Sequence, residues 1–339
     1  MAITNVSHCF VILRWMSHST QKWLIYALGG GLGHFHRALA LSRVATLNGN
    51  KVKIISNSQF ACLIPWKDEI GKNIEVVIIP HKEDKLGTAK LVHNQLNNSD
   101  YDRLVIDTFP RGLAGELPDI LGNIDVPKFL VSRYLNSDYV KKFNLHAEIE
   151  KYNLVFSIEK IAPFKKCINS ILTEPWLMYS SNELYPREKA RLCLGLEPDD
   201  RRPLIVVCGA GNQDDIHYFS VLAEKLKNKL DQWNVIFNSP VFGLSHLNAW
   251  PLLKYFQGID ALVGAGGYNL VHESRQTKTP LFSQPKKRLY DDQYERLVSN
   301  ECYESIEDLV FKLRSCSFSK KKNEFENGVV QSVKLIESF

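Results

Sequence analysis

Leu24-Ile25-Tyr26-Ala27-Leu28-Gly29-Gly30-Gly31-Leu32-Gly33-His34 is the stretch on which the fold turns: an apolar run enters a cluster of four glycines and ends on a histidine. The run predicts a strand, and glycine supplies the backbone freedom and the close approach that a ligand-holding turn requires. Phe35, Ala38, Leu41 and Ala45 then recur at helical spacing, so His34 falls in the first turn of a helix. There the free amides and the positive end of the helix dipole favour neutral imidazole, the form a general base needs. Asn48-Gly49-Asn50 stops the helix and Val52-Lys53-Ile54-Ile55 starts the next strand. The unit is βαβ, with Gly30, Gly31 and Gly33 as its candidate ligand-holding or phosphate loop. Its spacing departs from the dinucleotide fingerprint, because position 34 is His rather than Gly and Ile55 leads into Ser56-Asn57 rather than an acid. A plain strand-to-helix turn with a capping histidine stays open as the alternative at this point.

The same rhythm continues along the chain. Strand-like runs at Val76 to Ile79, Leu104 to Asp107, Lys128 to Val131 and Leu154 to Ile158 alternate with helix-length segments, which predicts a parallel doubly wound sheet. Residues 159–202, with Pro163, Pro175, Pro186 and Pro198, break the pattern and read as a connection. A second strand-to-glycine turn follows at Leu204-Ile205-Val206-Val207-Cys208-Gly209-Ala210-Gly211-Asn212. After it come a helix over Asp215 to Leu230 and strands at Trp233 to Phe237, Ala261 to Val263 and Leu281-Phe282. The two halves open alike. The expected class is therefore α/β, two Rossmann-like domains with parallel sheets facing a cleft: 23–175, a connection at 176–202, and 203–339. Residues 1–22 form an N-terminal extension, read as disordered or misannotated, with Met16 as an alternative start to Met1.

Composition narrows the function classes. The chain has 339 residues, enough for two ordinary domains, and its 45% hydrophobic and 23% charged content is that of a soluble globular protein. No run approaches the ~18 apolar residues of a membrane span, and Cys9-Phe10-Val11-Ile12-Leu13 before Arg14 makes a poor signal peptide. Seven cysteines (Cys9, Cys62, Cys167, Cys193, Cys208, Cys302, Cys316) without a C-x-x-C pair argue for free thiols in a reducing, cytoplasmic setting and against a zinc site. The net charge of +5 is modest. The runs Lys286-Lys287-Arg288 and Lys320-Lys321-Lys322 read as a solvated face, with peripheral attraction to a lipid surface or to phosphates as the alternative. No aromatic is interleaved in either run, so nucleic acid is not an expected partner. Asp100-Tyr101-Asp102 has the D-x-D form of metal-dependent transferases, but it sits in a polar run and reads as a solvated turn; no catalytic metal is expected.

The sharpest signal is in the second half. Ile259-Asp260-Ala261-Leu262-Val263 runs into Gly264-Ala265-Gly266-Gly267-Tyr268-Asn269, and a helix containing Glu273 follows. Backbone amides at such a loop and helix start hold a diphosphate without a metal. A carboxylate at position 273 is placed to accept both hydroxyls of a ribose, and Asp292-Gln293, after the next strand, suits sugar hydroxyls.

These residues resemble a family. Gly267-Tyr268-Asn269 with Glu273 and then Asp292-Gln293 is similar to the donor-site signature of GT-B glycosyltransferases, G-W-N-x-x-x-E with a later D-Q. Gly33-His34 with Leu39 and Leu41 resembles the amino-terminal G-H-x-x-P-x-L-x-L, and Leu104 to Phe109 looks like the strand ending in the aspartate partner of that histidine. The pattern is nearest to the MurG-like and UDP-glycosyltransferase-like branches and covers about residues 23 to 300. The resemblance implies a metal-independent transferase of the hexosyl or N-acetylhexosaminyl class with a UDP-sugar as substrate and no cofactor. His34 would be the base and Asp107 its partner; Gly209, Gly211, Asn212, Gly264, Gly266, Gly267, Asn269, Glu273, Asp292 and Gln293 would bind the donor. The resemblance puts the acceptor on 23–175 and the nucleotide sugar on 203–339; the acceptor would be lipid-linked or a small molecule. Ala265, Tyr268, Leu270 and Arg37 depart from the family's usual His, Trp, Ser and Pro. Gly-His-x-x-Arg also occurs in a GT-B-like hydrolase of nucleotide-linked sugars, which supplies the alternative activity, and a non-catalytic sugar-nucleotide binding protein is the third reading.

Overall fold

The computed structural model describes residues 20–211, 213–241, 247, 249–318 and 324–339. Most of the expected extension, Asn212 and the run Lys320-Lys321-Lys322 lie outside the described residues.

Seven parallel strands form the first sheet: β1 (Lys22–Ala27), β2 (Lys51–Ser56), β3 (Ile74–Ile78), β4 (Arg103–Asp107), β5 (Lys128–Ser132), β6 (Leu154–Ser157) and β7 (Ser170–Leu172), in the order β3-β2-β1-β4-β5-β6-β7. Apolar residues run continuously through its central strands because both faces are covered. Trp23, Ile25 and Ala27 of β1 join Val105 and Phe129 in one core, whereas Leu24 and Tyr26 join Leu104, Ile106 and Leu130 in the other. Helix α1 (Leu32–Leu47) begins after the extended Gly31 and ends at Asn48, where Gly49 takes φ +92°. The sequence rhythm predicts β1 to β6 and misses β7, which falls in the stretch read as a connection. That strand has three residues and no fully buried side chain, so it leaves little periodic signal.

The second sheet has four parallel strands, β8 (Leu204–Cys208), β9 (Asn234–Asn238), β10 (Ala261–Gly264) and β11 (Leu281–Ser283), in the order β11-β10-β8-β9. The helix Gly328–Glu337, inside the span expected for the nucleotide-side domain, packs on the first domain instead. Val329, Val333 and Ile336 share one core with α1 and Trp176, and Trp176 Nε1 donates to Ser332 Oγ at 2.9 Å. Asn50 Nδ2 donates to Glu337 at 2.7 Å and Arg103 Nε to the Ile336 carbonyl at 3.3 Å. Apolar residues at i, i+4 and i+7 give that helix one buried face, which it sets against α1.

Strand order fixes where a ligand can sit. In the first sheet the chain leaves β1 toward β2 and later returns to β4 on its other side; in the second it leaves β8 toward β9 and returns to β10. The crevice beyond the carboxyl ends of strands at such a reversal is where open α/β sheets bind ligands. The β1 and β4 ends of one domain and the β8 and β10 ends of the other line a single cleft of about 720 Å³.

Candidate active site

On the first wall, His34 Nδ1 lies 2.6 Å from Asp107 Oδ2, both side chains buried. With a carboxylate as acceptor, the proton is on Nδ1 and the Nε2 lone pair is free. Asp107 is the last residue of β4, and Thr108 beyond it holds φ +71°, a conformation rare for a β-branched residue that turns the chain sharply at the sheet edge. Gly29 has a steric reason: a Cβ there would lie 2.0 Å from His34 Cδ2, so only glycine lets the imidazole fold back over the strand end. Burial is the largest influence on His34 and pushes its pKa down to about 4 against the pull of Asp107, with Arg37 and Arg133 adding to the fall. Burial pushes the Asp107 carboxyl up, but Arg37 and His34 outweigh it and hold it below the usual carboxylate range.

Arg37, which the sequence reading treats as a departure, binds Asp107 with a two-pronged grip: Nε donates to Oδ1 at 3.0 Å and Nη2 to Oδ2 at 2.7 Å. Its guanidinium carbon also sits 5.2 Å from the centroid of the Tyr268 ring of the other domain. Asn57 is a second residue that sequence reasoning missed. Its Oδ1 accepts from the amides of Gly29 (2.7 Å) and Gly30 (2.8 Å), while the Gly31 amide bonds to the Gly29 carbonyl at 2.6 Å. The amides expected to hold phosphate at Gly30 and Gly31 are thus engaged within the turn. Both glycines, with Gly33, still line the cleft.

The opposite wall starts at the helix Tyr268–Thr277, whose first residues Tyr268, Asn269 and Leu270 line the cleft with Gly267. Asn269 and Glu273, four residues apart, share a face of that helix. Both line the cleft, and the buried Asn269 Oδ1 has no hydrogen-bond partner. Gly209, Gly211 and Gln293 line the cleft as expected, with the Gln293 Oε1 accepting from the Lys286 amide at 2.8 Å. Gly264, Gly266 and Asp292 do not line it. The first two abut Leu270 and Leu297, and Asp292 caps the turn Gln293–Arg296 by accepting from the Tyr294 amide. Asp291 takes the cleft position instead, paired with Arg296 (2.8 Å) and Arg133 (3.3 Å). Arg288, from a run read as solvated, also lines the cleft, paired with Asp215.

The two walls are fastened together. Tyr268 Oη accepts from the Trp176 amide at 2.8 Å. Glu159, from the first domain, accepts from His272 Nε2 (2.9 Å) and Arg296 Nε (2.6 Å), so the His272 ring turns toward the first domain. Asp100 and Asp102 pair with Lys22 at the start of β1, the sheet end opposite the cleft. Among the described residues no group of three or more His, Cys, Asp and Glu is placed to hold a metal, and no helix is long and apolar enough to cross a membrane.

Neither a protein-family model nor a curated protein matches the sequence. Solved structures do match in fold. A UDP-GlcNAc 2-epimerase from Neisseria meningitidis bound to UDP-GlcNAc is similar over 94% of this chain and 98% of its own, at 10% identity and a TM-score of 0.63. The glycosyltransferase SnogD from Streptomyces nogalater (94% of each chain, 12% identity, TM-score 0.57) and MurG from Acinetobacter baumannii (94% and 100%, 13% identity, TM-score 0.53) are similar in the same way. The chain therefore has the GT-B fold, two parallel-sheet domains about a cleft, shared by glycosyltransferases and by a sugar-nucleotide epimerase.

Proposed function

We propose that the protein transfers a sugar from a nucleoside diphosphate, a UDP-sugar, to an acceptor hydroxyl, without metal or cofactor. The observation that carries this reading is the His34–Asp107 pair at one strand-order reversal, facing the amide-lined helix start and Glu273 at the other across one cleft. The acceptor O–H gives its proton to His34 Nε2 as its oxygen bonds to the anomeric carbon, and the bond from that carbon to the diphosphate oxygen breaks. Asp107 stabilises the imidazolium, and the amides at the start of the helix Tyr268–Thr277 take up the charge of the departing diphosphate. Glu273 and Asn269 hold the donor from the same helix face.

A second reading, hydrolysis of the same donor, is favoured by the crowding of His34. Its ring stacks on Phe109 at 5.3 Å, and Tyr290 closes on Phe109 at 5.2 Å, which suits a water better than a bulky acceptor. Chromatography of a labelled UDP-sugar incubated with protein and with candidate acceptors separates the readings: a glycosylated product supports transfer, free sugar supports hydrolysis, and unchanged donor refutes both. His34→Gln is expected to lower either turnover by about 10²- to 10⁴-fold, as loss of a general base does, while sparing UDP binding; full activity in this variant would remove His34 as the base.

A further inference from the structure

His36 is left over from the reading above. It lies two residues past His34, on the other side of α1, and its ring packs edge-on against Trp250 of the second domain at 5.8 Å. Its Nε2 sits 3.4 Å from Glu273 Oε1, too poorly aligned for a hydrogen bond, and is buried with no partner. Buried polar atoms in native proteins are nearly always paired. Asn269 Oδ1, one helical turn from Glu273, is orphaned as well, and both side chains line the cleft. An orphaned donor poised over a carboxylate on the opposite domain has one simple use: it closes onto that carboxylate when a ligand draws the groups together.

We propose that His36 is a positioning residue for Glu273: its Nε2–H donates to Oε1 when a ribonucleotide is bound, turning the carboxylate to accept from the vicinal 2′- and 3′-hydroxyls. The inference rests on the reading of Glu273 as a donor ligand and adds that recognition of the diol is completed from the first domain. The site therefore reads a ribose most fully once the two domains draw His36 and Glu273 closer than the 3.4 Å described above. Without His36 the carboxylate keeps its charge but loses its fixed orientation, so the cost falls on the two-hydroxyl grip and spares the diphosphate contacts.

The test is calorimetric binding of UDP and of 2′-deoxy-UDP to the full chain. Wild-type protein is expected to prefer UDP by about tenfold or more, the loss typical of one hydrogen bond to a charged group. His36→Phe keeps a ring against Trp250 and removes only the donor; because it replaces an orphaned polar atom, its melting temperature should not fall. In this variant the preference should shrink to within about threefold, with UDP losing more affinity than 2′-deoxy-UDP. His36→Gln, whose side-chain amide nitrogen falls near the position of Nε2, should retain the preference. An undiminished preference in His36→Phe, an equal loss for both ligands, or a wild-type protein that does not distinguish them would each overturn the role of His36. A wild-type protein that binds neither ligand would overturn the donor reading itself.

Discussion

Arg37→Met tests the electrostatics of the site most directly. The substitution keeps an apolar stem and removes the guanidinium that lies 3.2 Å from His34 Nδ1 and grips both oxygens of Asp107. At an effective dielectric of ~20, a charge this close is worth roughly 4–5 kcal/mol, equivalent to about 3 pH units at about 1.4 kcal/mol per unit. Burial is unchanged, and Arg37 ranks below burial and Asp107 among the influences on His34, so its removal should raise the midpoint by less than that, by about 1–2 units from its value near 4. The sign follows from the base role: His34 must be neutral to accept a proton, so activity is lost as pH falls through its pKa, and the acid limb of kcat/KM should move to higher pH by the same amount. NMR titration of histidine-labelled protein, with the resonance assigned by its absence in His34→Gln, reads the midpoint without relying on turnover. Saturating UDP adds negative charge to the cleft and should raise the wild-type midpoint too, which is how a weakly basic imidazole gains proton affinity once the donor has arrived. Breaking a buried pair also costs about 3–5 kcal/mol of stability, and Asp107→Asn in the Arg37→Met background should recover part of it. A wild-type His34 that titrates near 6.5, or a midpoint that does not move in Arg37→Met, refutes the argument.

Gly29→Ala should fold and bind UDP yet lose turnover by at least about tenfold, because the new methyl group claims the space of the His34 ring, and off-line catalytic groups are costly; a crystal structure showing the imidazole undisplaced, with normal rate, would contradict this. Turnover of a UDP-sugar should persist in excess EDTA, since the diphosphate is assigned to helix-start amides; loss on chelation with recovery on adding magnesium or manganese would count against the proposed mechanism.

What could be read from the sequence was what is local. The run Leu24 to Leu28 into the glycine cluster announces a strand, a turn and a helix because all three signals lie within one short window. β8 with Gly209 and Gly211 announces itself in the same way. The His34–Asp107 pair was accessible only through resemblance, since 73 residues separate the partners. Arg37 carried a usable signal: three residues after His34, it shares a helix face with it, so a buried acid facing one faces both. His36 does not share that face, and the carboxylate nearest its Nε2, Glu273, belongs to the other domain. β7 and the helix Gly328–Glu337 failed for a related reason. One is too short for a period to register, and the other has a clear apolar face whose complement, α1, lies nearly the whole chain away. Periodicity shows that a helix has a side to bury, but the surface that buries it is set by how the chain returns. In this fold the return also matters for chemistry, because helix Gly328–Glu337 ties down the carboxyl end of α1, the helix whose first two turns hold His34, His36 and Arg37 against the cleft.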